Sequence, residues 1–442
     1  MPRVDRAERR ATDREILRLA VPAFGALIAE PLYLLADTAV VGHLGTAQLG
    51  GLAVAASALL GGYSIFIFLA YGTTAAVSRL LGAGEHRRAA DQAVQSLWLA
   101  LAIGVVLVAA GWFGTESILG AFGAAEEVRQ HAFVYFRISL VGVPAFLLTM
   151  AGVGYLRGLQ NTRLPLVVAV ATGLFNLVLE VVLIVGFGFG IGASALSTVL
   201  AQWIGAAVYI AWVLRGARQH GATMRPSRLA IGRLARAGSA LLIRTAALRT
   251  SLIVATGIAA RVGVVDLAAH QIAFELWGFL AFALDSVAIA GQAMIGKLLG
   301  AGDAAGTRRV GRRMIQWGVA MGVGAGLLVA ALHQVLPSAF SGDPDVRALT
   351  AFLLLCAAVL QPVNGVVFVL DGILIGAGDM TFLAWAMVGV LVLFLPAALA
   401  VVVFDLGIGW LWAALGVMMV SRMAFLSLRY RTDAWMVLGA DR

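Results

Sequence analysis

Glu30, Tyr33 and Asp37 recur at intervals of three and four residues inside a long apolar stretch, and Asn176 and Glu180 repeat the four-residue interval in another. In a helix this spacing puts each set on one face. A carboxylate at the centre of a bilayer costs about 3 kcal/mol or more, so acids kept there usually line a cavity or an ion pathway. The chemistry implied is the binding and release of a proton or cation. Burial and neighbouring charge decide whether an acid holds its proton, and a cavity that changes exposure changes both. Asp37 is the leading coupling residue, with Glu30, Tyr33, Asn176 and Glu180 around it if the two faces converge. Plainer readings stand beside this one. An Asp37 close to the outer surface would be solvated and held by a structural hydrogen bond, Asn176 would pair across helices, and Glu180 would cap an outer turn.

The second half carries a different polar set: Arg244, Arg249, His270, Glu275, Asp285 and Asp371. Asp285 and Asp371 lie deepest in apolar sequence, where they either bind a cationic substrate or pair with Arg244 or Arg249. A histidine can change charge near neutral pH, which suits His270 to proton transfer, while its place near a helix start equally suits packing or anchoring. The sequence contains no cluster with metal-ligand spacing, no evident nucleophile with a base, and no Gly-x-x-x-x-Gly-Lys-Ser/Thr phosphate loop. It therefore reads as neither an enzyme nor a nucleotide-driven pump, and no cofactor is expected.

The elements that hold these residues follow from the apolar pattern. Of 442 residues 61% are hydrophobic and 12% charged, more apolar surface than a soluble domain can hide. Runs long enough for a hydrocarbon core of roughly 30 Å predict helices. They fall at 16–37, 50–74, 92–113, 132–154, 165–186, 191–214, 236–259, 268–291, 314–335, 349–371, 382–403 and 409–430, six in each half. A transmembrane barrel would instead alternate polar and apolar residues over about ten positions. The arginine-rich stretch before the first span lacks a small-residue cleavage site, which predicts a retained helix. The lone Cys356 allows no internal disulfide.

The net charge of +9 is not a nucleic-acid signal, because its distribution has a topological explanation. Arginines crowd the amino terminus, the connections after the second, fourth, sixth and eighth spans, and the tail. The alternate connections hold mainly Glu116, Glu126, Glu127, Asp266, Asp343 and Asp345. By the positive-inside rule both termini are expected in the cytoplasm.

The chain also repeats itself. Arg79-Leu-Leu-Gly-Ala-Gly-Glu85 returns 218 positions later as Lys297-Leu-Leu-Gly-Ala-Gly-Asp303, and Gly158-Leu-Gln-Asn161 falls on Gly376-Ala-Gly-Asp379. Such a duplication predicts two pseudo-symmetric six-helix bundles, 1–214 and 236–442, joined by a cytoplasmic linker at 215–235. The chemistry is not duplicated: the position 218 after Asp37 is Ala255.

Several of these segments resemble the multidrug and toxic compound extrusion (MATE) transporters, especially the branch like the DNA-damage-inducible protein F. They are the run from Glu30-Pro-Leu-Tyr33 through Asp37 to Gly45, the paired Leu-Leu-Gly-Ala-Gly segments, Ala268-Ala-His-Gln-Ile272, and Asp371-Gly-Ile-Leu-Ile-Gly-Ala-Gly-Asp379. The resemblance extends over nearly the whole chain. It implies a twelve-helix, all-α integral membrane protein that exports cationic or amphipathic compounds by alternating access. In this branch the implied exchange ion is the proton, taken by a first-helix acid that matches Asp37. Sodium fits less well, because the seventh helix offers Arg244 and Arg249 where sodium-coupled relatives carry an acid. Export of citrate-like anions, with those two arginines as contacts, is the competing reading within the family. A lipid-linked precursor flippase is the competing reading outside it. The expected setting is the cytoplasmic (inner) membrane, with small-molecule substrate and lipid as partners, no nucleic acid, and a functional monomer.

Overall fold

With no water to pair its backbone, an apolar run in a bilayer must satisfy its own N–H and C=O groups, and a helix does so locally. The computed structural model describes residues 2–440, apart from the side chains of 2–5, 63 and 64. Fourteen α-helices carry most of the described residues. The first eight are α1 (Pro2–Gly42), α2 (Thr46–Tyr63), α3 (Phe68–Gly82), α4 (His86–Gly120), α5 (Glu126–Leu140), α6 (Val143–Gly158), α7 (Arg163–Val181) and α8 (Ile191–Gln219). The rest are α9 (Arg228–Val262), α10 (Val264–Gly300), α11 (Ala304–Leu332), α12 (Pro344–Gly376), α13 (Met380–Val403) and α14 (Ile408–Arg431). Among the described residues, eleven helical segments are long and apolar enough to cross a membrane, and α5 with α6, bent by 48°, passes the same test when the pair is counted as one span. The chain is an all-α, multi-pass membrane protein. Strongly exposed apolar side chains such as Phe113, Val185, Val359 and Trp385 fit contact with lipid.

Two spans expected to be continuous are broken. The second, placed at 50–74, is split into α2 and α3 by a 3₁₀ turn at Ser64–Ile67. The break follows Gly61-Gly62, a pair with the highest entropic cost of staying helical. The fourth, placed at 132–154, bends where α5 gives way to α6, and Pro144 in the first turn of α6 has no N–H to return to α5. The fifth ends in a π-helical turn at Val182–Gly186, two residues beyond Glu180. Turns of this kind often mark functional positions.

The chain forms two compact units. An N-terminal unit comprises Gly25–Gly238, and a C-terminal unit comprises the residues up to Phe24 with those from Ser239 onward. Both α1 and α9 thus begin in one unit and continue into the other.

Within each unit the repeat is visible in the backbone. Gly84 and Gly302 both adopt φ +75°, closing the turns after α3 and α10. The N–H of Glu85 bonds to the carbonyl of Leu80 at 2.9 Å, and that of Asp303 to Leu298 at 3.0 Å, the same helix-ending bond in the same register. The helix crossings repeat as well. A Cβ on Gly154 of α6 would stand 2.6 Å from the Ala70 carbonyl oxygen of α3, and one on Gly372 of α12 would stand 2.4 Å from that of Ala288 on α10. Absent side chains allow this approach, the usual way membrane helices gain van der Waals contact.

A third correspondence holds the approach to α1 and α9. In the N-terminal unit, Asp91 of α4 accepts from the Thr223 N–H at 2.6 Å and Gln95 accepts from the Ser227 N–H at 2.8 Å. In the C-terminal unit the positions 218 later on α11 are Arg309 and Arg313. Arg313 grips Asp13 with two bonds of 2.6 and 2.7 Å, Trp317 donates to Asp13 at 2.9 Å, and Arg309 reaches Glu8 at 3.3 Å.

Candidate ion-coupling site

Asp37 lies near the end of α1 and is only 2% exposed. Its carboxylate accepts a 2.7 Å hydrogen bond from the hydroxyl of Ser194, in the first turn of α8. Glu180 on α7 is fully buried and lies beside both Asp37 and Ser194. Asn176, one turn earlier on α7, donates to Ser197 at 3.3 Å and Thr198 at 3.0 Å, both on α8. The faces of α1 and α7 therefore converge on α8. Two carboxylates this close cannot easily both be ionised in a dry interior, which favours sharing a proton or taking up a cation between them.

A small cleft of about 50 Å³ opens beside this group, with Glu30, Tyr33, Asp37, Ser139, Thr198 and Gln202 among its walls. Space of this size among polar groups lets the cleft admit water or an ion. Glu30 stands at its exposed margin and Tyr33 is half-buried. A larger concavity of about 400 Å³ lies between the end of α4 and α5, lined by Glu116, Glu126, Arg129 and Phe133. None of the candidate coupling or substrate-binding residues lines it.

The second-half candidates divide. Asp371 of α12 accepts from Arg244 of α9 at 2.5 Å and from Arg422 of α14, all three being buried. Asp285 of α10 acts electrostatically on the same Arg422. Asp371 and the two arginines thus form one buried group, with the half-buried Asp285 acting on it. Arg249 and Glu275 are exposed, and Glu275 accepts from Gln271 on its own helix at 3.3 Å. His270 is fully buried, its ring stacked on Phe274 and edge-on to Trp412, with no hydrogen bond from either nitrogen.

Sequence reasoning overlooked Ser194, Ser197 and Thr198, although their spacing of three and four marks one face of the sixth span. It also overlooked Arg422, a cation inside the last span. Its signal was position: seven residues separate it from Arg429, enough to take it off the helix flank and into the apolar run.

The long apolar helices, with charged residues buried among them, define a multi-pass membrane protein. The chain belongs to the MatE family, whose profile matches residues 22–182 and 241–400. It is a secondary transporter of that kind and not an enzyme. It is 29% identical to the Protein DETOXIFICATION 44, chloroplastic, of Arabidopsis thaliana, over 96% of this chain and 84% of that one. It is 28% identical to the DNA damage-inducible protein F of Escherichia coli (strain K12), over 84% of this chain and 82% of that one. Among solved structures it resembles the MATE transporter of Vibrio cholerae in its bent form, with a TM-score of 0.88 at 19% identity, covering 96% of this chain and 98% of that one. It also resembles a MOP superfamily transporter from Pyrococcus furiosus, with a TM-score of 0.85 at 20% identity over 96% of both chains.

Proposed function

We propose that this carrier is a proton antiporter exporting cationic or amphipathic small molecules, and that Asp37 is its coupling residue. The observation that carries this reading is the burial of Asp37 beside Glu180, with Ser194 as donor and a cleft that Asp37 lines. With the site open to the outside, protons load it and substrate leaves; open to the inside, the proton departs and substrate enters. Only a ligand with different affinity for the two states can bias that exchange. Arg244 and Arg249 in the seventh span, where sodium-coupled relatives carry an acid, favour the proton over sodium.

The same reading places the chain in the branch like the DNA-damage-inducible protein F. It makes 1–214 and 236–442 two pseudo-symmetric bundles about a cytoplasmic linker at 215–235, with both termini cytoplasmic, in the cytoplasmic membrane, working as a monomer. A second reading draws on Arg244 and Arg422, two buried cations on one acid: they would serve export of an organic anion such as citrate. In the cationic reading Asp285 is the leading substrate contact instead, with Asp371, His270, Glu275 and Arg249 as lesser candidates.

The test uses proteoliposomes with an imposed proton gradient and a panel of organic cations and citrate-like anions. Wild-type protein is expected to move protons when a cation is offered, and Asp37→Asn to bind cation without proton flux. Unchanged proton movement in Asp37→Asn removes the role assigned to that residue, and flux with anions alone selects the second reading.

A further inference from the structure

The ion pairs of Asp371 leave part of α12 unexplained. Thr350, Gln361, Asn364 and Asp371 share one face of this helix, since positions seven apart, and those three or four between them, stay in line. Thr350, Gln361 and Asn364 are 0% exposed. Yet the Thr350 hydroxyl and every side-chain polar atom of Gln361 and Asn364 lack a hydrogen-bond partner. The helices packed against α12 contribute further orphans: both ring nitrogens of His270 on α10 and the indole N–H of Trp412 on α14.

The register brings these groups to neighbouring levels. Gly372 lies against Ala288 and Gly376 against Gln292, so α10 and α12 run parallel and Gln361 is level with Trp277. The contacts of Gly409 with Phe352 and of Gly416 with Leu360 set α14 parallel too, and put Trp412 between the levels of Phe352 and Leu360, next to that of Gln361. The rings of Trp277 and Trp412 are indeed 5.9 Å apart, and Trp412 is 6.0 Å from His270.

Buried polar atoms are almost always paired, with protein or with ordered water. Amide oxygens, amide N–H groups, an indole N–H and an imidazole need a partner that both donates and accepts. A cation would meet the N–H groups as well as the carbonyls, and would approach the two arginines on Asp371. Water meets every requirement, and one buried water commonly makes about three such bonds. We propose that the C-terminal unit binds internal water along this face of α12, from Thr350 through the Gln361–Asn364 level to the Arg244–Asp371–Arg422 group. At the rise of an α-helix this track is roughly 30 Å long, comparable to a hydrocarbon core. It gives the second half a hydrated interior that owes nothing to Asp37, and it stands whichever ion or substrate the carrier uses.

X-ray radiolysis of the full chain in nanodiscs produces hydroxyl radicals from bound as well as bulk water, and mass spectrometry reads oxidation at each residue. Trp412 and Trp435 form a matched pair: both are 1% exposed, but the Trp435 indole already donates to the Tyr430 carbonyl at 3.0 Å. The expected result is oxidation at Trp412 with Trp435 spared, and loss of the Trp412 signal in Asn364→Leu and in the shape-matched Gln361→Met. Trp412 spared as fully as Trp435 in the wild type overturns the proposal whether or not the variants fold. Oxidation at Trp412 that persists in both folded variants overturns the assignment of the water to these side chains.

Discussion

Asp37 and Asp371 are both buried aspartates, but their neighbours give them opposite tasks. Asp37 has a hydroxyl donor and a second carboxylate beside it, whereas Asp371 has two guanidinium groups. Removing the acid from a buried ion pair leaves its partners charged and unpaired, at a cost of about 3–5 kcal/mol. Asp371→Ala is therefore expected to lower the unfolding temperature sharply, and a triple change that also replaces Arg244 and Arg422 with methionine to recover much of the loss. Equal stability of the single and triple variants in a thermal denaturation series would show that the group is not a closed pairing. Ser194→Ala deprives Asp37 of its donor, and a lost bond to a charged group costs about 1.5–3 kcal/mol. Weaker proton-driven transport is expected, with recovery in Ser194→Thr, whose hydroxyl can take the same place.

At the scale of elements, the close crossings decide which helices lie side by side. Gly154→Ala and Gly372→Ala each push a methyl to within 2.6 Å of a facing carbonyl oxygen, and forcing such a contact costs about 1–3 kcal/mol. Gly324 on α11 has nothing within 4 Å of the same methyl, so Gly324→Ala is expected to be neutral or to gain about 0.5–1 kcal/mol from reduced chain entropy. Unfolding temperatures that ranked the three alike would contradict the crossings. The grip of α11 on the start of α1 is weaker in kind: Asp13 and Arg313 are partly exposed, which keeps the pair near 1 kcal/mol and makes it fade with salt. Asp13→Asn should accordingly cost little at high ionic strength and more at low.

For the whole molecule, the charge pattern forecasts sidedness. In a Cys356→Ala background, a cysteine placed at Ala222 in the linker should react with a membrane-impermeant maleimide only when the cytoplasmic face is exposed. One placed at Gly342, before α12, should react from the opposite side. Labelling of both from one side would refute the even-parity topology.

The sequence by itself determined the membrane class, the approximate number of spans, and the 218-residue duplication, because hydrocarbon admits so few backbone solutions that composition and run length nearly fix the element type. It also marked Asp37, Asn176 and Glu180, since charge and amide groups are conspicuous in apolar runs. The breaks at Ser64–Ile67 and between α5 and α6 were hidden because hydropathy averaged over a window passes smoothly across a glycine pair or a proline. Ser194, Ser197 and Thr198 were hidden because a hydroxyl on a helix ordinarily bonds to its own backbone and signals nothing to a neighbour. Only the tertiary structure decided that α8 receives the faces of α1 and α7, that Asp371 takes Arg244 and Arg422 rather than Arg249, and that His270 meets Trp412 without a polar partner. The physical reason is geometric: periodicity says which residues share a face, but the rotation and crossing of each helix, set by close contacts such as Gly154 on Ala70 and Gly372 on Ala288, choose what that face meets.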